Sequence, residues 1–270
     1  MATARLWEFA GVRGAITAHA WHRENPRYIA VLVHGYGEHL GRYEHVAETL
    51  VRHGAVVCGP DHLGHGRSAG EPVLIEDFAD LVADLHTVVE SARADHPDLP
   101  VVMIGHSMGG MIAARYAQLH VRDLTALVLS GPVLGRWDAL SALLGFDEIP
   151  DVPIDPDTLS RDPGVGKAYN EDPLVWHGPF KRPTLLALDA CIRQIGEHGS
   201  LGDLPTLWVH GADDQLVPLD GTRTGIEQIR GTDLTERIFF GARHEVFNET
   251  NKAEILTEVT AFLDRALPVR

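Results

Sequence analysis

The stretch VVMIGHSMGG, Val101 to Gly110, contains the pattern G-x-S-x-G as Gly105, His106, Ser107, Met108 and Gly109. An apolar run precedes the serine and a helical pattern follows it. In that context such a serine stands on a sharp, strained strand-to-helix turn, with its hydroxyl lifted above the sheet edge. Gly105 and Gly109 leave space where a Cβ would clash, and the following helix N-terminus points its dipole at developing negative charge. The chemistry is nucleophilic attack by a hydroxyl, which needs a base to take its proton. Sixteen histidines compete for that work. With a serine so placed, the partners follow in the order Ser, acid, His. The base then belongs in the loop after the last strand, where GARHEVFNE supplies His244. His34, His106 and His210 stand at other strand ends, and His198 precedes the penultimate strand, as structural or substrate-lining groups. The acid belongs one strand earlier, where HGADDQLVP offers Asp213 and Asp214. Asp214 is chosen because such an acid is usually followed by an x-apolar-Val-Pro run, here Gln215, Leu216, Val217 and Pro218; Asp213 is the alternative.

Acyl transfer also needs donors aimed at the oxygen that becomes negative, and loss of one costs about 10²–10³ in rate. One is the backbone N–H after the nucleophile, that of Met108, and the other comes from the loop after the third strand. That loop reads HGYGEH and assigns the Tyr36 N–H. Gly35, Gly37 and Gly41 fit a dinucleotide loop poorly, because the third glycine falls one place late. The sequence holds no Walker A, HExxH or CxxC. His62 and His65, in DHLGHGRS, lack a third ligand nearby, so this loop reads as a structured turn anchored by Asp61 and Arg67.

The elements that must position these groups alternate along the chain. Near-continuous apolar runs at 28–33, 55–58, 101–104, 126–129, 206–209 and 238–240 read as strands buried on both faces. Residues 6–9 and 16–22 read as a leading antiparallel hairpin around Gly11 and Gly14. Helical patterns occupy 43–52, 78–94, 108–119, 219–229 and 249–266. Repeated strand–helix units predict an α/β fold, a mostly parallel sheet flanked by helices. Residues 132–203 break the rhythm and gather prolines, so they read as a cap inserted between core segments 1–131 and 204–270.

Composition narrows the partners. With 23 Lys plus Arg against 38 Asp plus Glu, the formal charge is −15, which repels nucleic acid. It also disfavours anionic membrane, so transient lipid contact has to come from a local apolar surface of the cap. Cys58 and Cys191 make no disulfide framework and fit a reducing compartment. No signal peptide and no spanning run are expected, and the expected location is cytoplasmic.

Together HGYGEHLGRYEHVAETL, GPDHLGHGRS, GHSMGG, SRDPGVGKAYNEDPLVWHG, HGADDQLVP and GARHEVFNE resemble the monoacylglycerol lipase branch of the α/β hydrolases, especially its bacterial members. The resemblance runs from Tyr28 to the C-terminus and implies the α/β-hydrolase fold and a small lipid or ester substrate, with no cofactor. It matches Ser107, Asp214 and His244 to the triad, and Tyr36 and Met108 to the oxyanion residues. It places Glu38, Arg42, His106 and Tyr169 at the glycerol end, where the alternative is scaffold hydrogen bonding. The expected activity is cleavage of monoacylglycerols to fatty acid and glycerol. General carboxylesterase or lysophospholipase activity and a slow-turnover small-molecule receptor are the alternatives. A dehalogenase or epoxide hydrolase would carry Asp in place of Ser107. Two features depart from the branch: Tyr36 is bulky for its position, and residues 133–149 are short for a lid. The apolar stripe Leu134, Trp137, Leu140, Leu143, Leu144 and Phe146 reads as core or as a tunnel wall.

Overall fold

A computed structural model describes residues 4–268 of the chain. Strands β1 (Arg5–Ala10) and β2 (Ala15–Trp21) form the leading antiparallel hairpin. They are followed by β3 (Tyr28–Val33), β4 (Ala55–Pro60), β5 (Val101–His106), β6 (Ala126–Ser130), β7 (Thr206–Gly211) and β8 (Leu234–Phe239). All eight join one sheet in the order β1-β2-β4-β3-β5-β6-β7-β8. Every pairing from β4 to β8 is parallel, and β2 meets β4 antiparallel. This is the α/β-hydrolase arrangement. The strand order reverses direction around β3 and β5, and a crevice opens at such a switch point beyond the carboxyl ends of the strands.

The helices are α1 (Glu44–His53), α2 (Phe78–Asp95), α3 (Met108–Leu119), α4 (Asp138–Leu144), α5 (Pro163–Glu171), α6 (Arg182–His198), α7 (Leu219–Ile229) and α8 (Lys252–Ala266). The continuous apolar runs are explained by burial on two faces. In β3, Ile29, Val31 and Val33 pack into one cluster with α2 and α3, whereas Tyr28, Ala30 and Leu32 pack into a second with α1 and α8. Strand β8 behaves differently. It is the sheet edge and half exposed, so Thr235, Glu236 and Arg237 break its apolar pattern. The apolar run at 238–240 therefore marks only the last two residues of β8 and runs one past it, whereas the strand spans Leu234–Phe239. The closing helix also starts later than expected, at Lys252. Glu249 is buried and accepts from the backbone N–H of Arg243 and Arg161, which ties this stretch to the preceding loop.

Residues 132–203 hold α4, α5 and α6 joined by proline-containing loops. Helix α6 buries Leu185, Leu188, Cys191, Ile192 and Ile195 in the cluster that α2 and α3 share. Each leucine so buried contributes about 1.5–3 kcal/mol. Helix α5 belongs to a small separate cluster of Leu159, Tyr169 and Val175. Its start is fixed by Asp162, which accepts from the Gly164 N–H, and by Pro163 in the first turn. Among the described residues no helix is long and apolar enough to cross a membrane.

Candidate active site

Ser107 stands between β5 and α3 with φ 56° and ψ −122°, a left-handed conformation that a side-chain-bearing residue adopts only under constraint. The constraint is backbone packing. A Cβ on Gly105 would lie 2.3 Å from the Gly109 carbonyl oxygen, and one on Gly109 would lie 2.2 Å from that of Val33. Only glycines let β5, α3 and the end of β3 close to this distance.

His244 follows β8, and Asp214 follows β7. His244 Nε2 lies 2.9 Å from Ser107 Oγ, and His244 Nδ1 lies 2.7 Å from Asp214 Oδ2. All three side chains are buried. Asp214 Oδ1 accepts from the amides of Leu216 and Val217 at 3.0 and 2.9 Å. Burial pushes the Asp214 carboxyl up, but the charge of His244 and hydrogen bonds from His210 and His244 outweigh it and hold it below the carboxylate range. For His244, burial pulls the ring down while the Asp214 charge and hydrogen bond raise it further, so its net shift is upward. Asp213 is exposed, and its N–H donates to the Ala242 carbonyl.

The loop after β3 is pinned from both sides. The Gly35 N–H donates to Glu38 Oε1 at 2.7 Å, and the Gly35 carbonyl is 2.8 Å from His34 Nδ1. His34 Nε2 accepts the His62 N–H at 3.0 Å, so the ring proton sits on Nδ1 and donates to Gly35. In a planar trans peptide, holding the Gly35 carbonyl on one side turns the Tyr36 N–H to the other. A Cβ on Gly35 would be 3.2 Å from the Ser107 Cβ, so this loop lies against the nucleophile. Neither the Tyr36 nor the Met108 N–H has a protein acceptor among the described residues. The bulk of Tyr36 is accommodated by stacking on Phe180, ring centroids 4.4 Å apart.

Glu38 and Arg42 belong to a buried clamp that sequence reasoning missed. Arg42 Nη1 reaches Glu38 Oε2 at 2.5 Å, and its two terminal nitrogens reach the Glu245 carboxylate at 2.7 and 2.9 Å. Tyr43 donates to Glu38 Oε1 at 2.6 Å. Burial raises the Glu38 carboxyl, but Arg42, His106, His34 and the Tyr43 hydrogen bond overcome it and bring it to about 2. The Glu38 carboxylate is thus committed to Gly35, Tyr43 and Arg42. His106 packs its ring 4.7 Å from that of His244, with Nδ1 3.1 Å from the carbonyl and hydroxyl of Ser130. Burial and then the His244 charge lower His106 to about 4, so it is neutral. Tyr169 is buried beneath the Arg42 guanidinium, 5.3 Å from its ring centroid. In the loop after β4, Asp61 accepts from the Leu40 and Arg67 amides as anchor; Arg67 contributes only its backbone, its side chain being exposed.

Ser107 opens into a cavity of about 170 Å³, against the 10–15 Å³ that one water needs, which leaves room for an organic molecule. Trp137, Leu143, Ile154, Leu159, Phe180 and Leu216 form its apolar lining. Glu38, Arg42, His106, Tyr169 and Glu245 supply polar groups. A second cluster, His86, His120 and Asp123, brings potential ligand atoms within 4.8 Å of one another. Its imidazoles stack at 4.2 Å and 18° from parallel, so their lone pairs run side by side instead of converging, and Arg93 takes one Asp123 oxygen. It is a surface hydrogen-bonding cluster.

The chain is 38% identical over 266 residues to the monoacylglycerol lipase of Mycolicibacterium smegmatis, covering 94% of this chain and 95% of that one. It is 32% identical to the monoglyceride lipase of Homo sapiens, covering 83% and 77%. A solved monoacylglycerol lipase from Paleococcus ferrophilus superposes with a TM-score of 0.78 at 25% identity, over 97% and 99% of the two chains. A soluble variant of the Saccharomyces cerevisiae monoglyceride lipase, at 20% identity, shares the fold with a TM-score of 0.87 over 100% and 97%. The family model Hydrolase_4, described as serine aminopeptidase, S33, matches residues 24–251. With that match and relatives of this similarity, the chain belongs to the Hydrolase_4 family of serine hydrolases, in the branch that holds the monoacylglycerol lipases.

Proposed function

We propose that the chain hydrolyses carboxylic esters, monoacylglycerols above all, to fatty acid and glycerol through an acyl-enzyme on Ser107. The observation that carries this is the buried hydrogen-bonded chain from Asp214 through His244 to Ser107, opening into a cavity with both an apolar lining and polar groups. Ser107 Oγ attacks the ester carbonyl carbon while His244 Nε2 takes its proton. The carbonyl oxygen becomes negative against the Tyr36 and Met108 amides. Asp214 keeps the second imidazole proton on Nδ1 and stabilises the imidazolium without taking a proton itself. His244 then protonates the leaving glycerol oxygen, and water repeats the sequence to release the fatty acid.

The apolar lining receives the acyl chain, each buried methylene contributing about 0.8 kcal/mol. At the glycerol end, Glu38 and Arg42 serve the loops. The Tyr169 hydroxyl and His106 Nε2 have no protein partner among the described residues and receive glycerol hydroxyls. Residues 132–203 act as the cap, with Trp137, Leu143, Leu159 and Phe180 lining the cavity. Phe146 and Leu186, 50% and 54% exposed, support transient contact of this cap with a lipid surface. The buried free thiols of Cys58 and Cys191 fit a cytoplasmic location.

The test compares a monoacylglycerol with the methyl ester of the same acid. A hydrogen bond to the glycerol end should favour the monoacylglycerol about tenfold or more in kcat/KM. Tyr169→Phe should shrink that ratio by slowing the glycerol ester, whereas Glu38→Gln should slow both esters alike. A wild-type ratio near one would contradict the glycerol reading and leave a general carboxylesterase.

A further inference from the structure

We infer that His210 is a positioning residue for this hydrolysis, holding Asp214 and its loop where His244 needs them. The inference rests on the triad proposed above. His210 lies in β7 just before Gly211, is fully buried, and has both ring nitrogens engaged. Trp208 Nε1 is 3.2 Å from His210 Nδ1. An indole N–H only donates, so Nδ1 is the acceptor and the ring proton sits on Nε2. Nε2 faces two acceptors, the Val217 carbonyl at 2.9 Å and Asp214 Oδ2 at 3.3 Å. That carboxylate oxygen is the one that meets His244 Nδ1 at 2.7 Å.

Val217 closes the arrangement, giving its N–H to Asp214 Oδ1 and its carbonyl to His210. The four-residue turn that presents the acid is therefore stapled to β7 through one imidazole. With the other tautomer, the Nε2 lone pair would face a carbonyl and a carboxylate and repel both. The indole of Trp208 thus fixes the direction of the whole relay. Trp208 is itself fully buried, under the Arg223 guanidinium at 5.0 Å, and Arg223 is held in turn by Glu236 on β8.

His210→Phe fills the space but removes the donor. Asp214 Oδ2 then directs more of its charge to His244, so the imidazolium gives up its proton at higher pH. At the same time the acid turn loses its staple. The expected result is a kcat lower by about 10- to 100-fold, the scale of one hydrogen bond to a charged group. KM should stay nearly unchanged, and the acid limb of kcat/KM should move to higher pH. His210→Gln, whose amide can donate from the same place, should restore both. A His210→Phe variant with intact circular dichroism and wild-type kcat and pH profile would overturn the inference, as would equal loss in His210→Gln.

Asp214→Asn, measured alongside, separates the two levels. If it retains near-wild-type kcat, the triad reading fails and takes this inference with it. If it collapses while His210→Phe is unaffected, the inference alone fails. Should the His210 variants not fold, ¹⁵N NMR of the unmodified chain decides. A bare Nδ1 and protonated Nε2 on His210 support the assignment, and a proton on Nδ1 overturns it.

Discussion

Asp213 is exposed and uses only its backbone N–H, whereas Asp214 is buried against His244. Asp214→Asn removes the acceptor that keeps the His244 proton on Nδ1, and kcat should fall by orders of magnitude with the fold intact. Asp213→Asn should leave kcat near wild type. Steady-state kinetics of the two variants check this, and the reversed outcome would move the acid by one residue. The titration of His244 gives a second expectation. Its ring is held above the ordinary 6.5 by Asp214 in spite of burial, and only the neutral ring can take the Ser107 proton. The acid limb of kcat/KM should therefore lie above 6.5. Stability runs the other way for this group. A raised histidine contributes stability that is fully present below its unfolded pKa and lost as pH rises through its folded one. Glu38, held at about 2 against an ordinary 4.5, contributes stability present above 4.5 and lost as pH falls toward 2. Urea unfolding across pH 2–9, compared between wild type and Glu38→Gln, reads the Glu38 part directly.

At the scale of elements, the loops after β3 and β8 are fastened to each other through Arg42. Glu38 holds the Gly35 amide, Glu245 adjoins His244, and Arg42 bridges the two carboxylates. Arg42→Met would leave both acids buried without their cation. Unfolding free energy should drop by about 3–5 kcal/mol, and kcat should fall equally for glycerol and methyl esters. Thermal denaturation and paired ester kinetics check this, and a loss confined to the glycerol ester would return Arg42 to substrate binding. Ser107 and Asp214 were legible in the sequence because each follows a strand with a strong apolar signature, and His244 because the short apolar end of β8 and the order Ser, acid, His pointed to its loop. The clamp was not legible, because Arg42 and Glu245 meet only when two loops far apart in the chain come together. The start of β8 was hidden for a related reason, since an edge strand exposed on its flank carries polar residues that erase the apolar run.

Over the whole molecule, the parallel sheet sets the carboxyl ends of β3, β5, β7 and β8 on one side and so gathers residues from 35 to 245 into one site. The α/β organisation was readable because strands buried on both faces must be apolar throughout. The inner structure of residues 132–203 was not, because α4 and α5 are short and lie among prolines, with no repeated strand–helix unit to frame them. In the proposed function the whole assembly serves a covalent intermediate on one oxygen, that of Ser107. The most direct measurement is therefore mass spectrometry of the chain after exposure to a fluorophosphonate that carries an alkyl chain. The expected result is one adduct per chain, located on the Ser107 peptide and absent in Ser107→Ala, which should also lose ester hydrolysis. An adduct on another residue, or full activity in Ser107→Ala, would contradict the proposed acyl-enzyme.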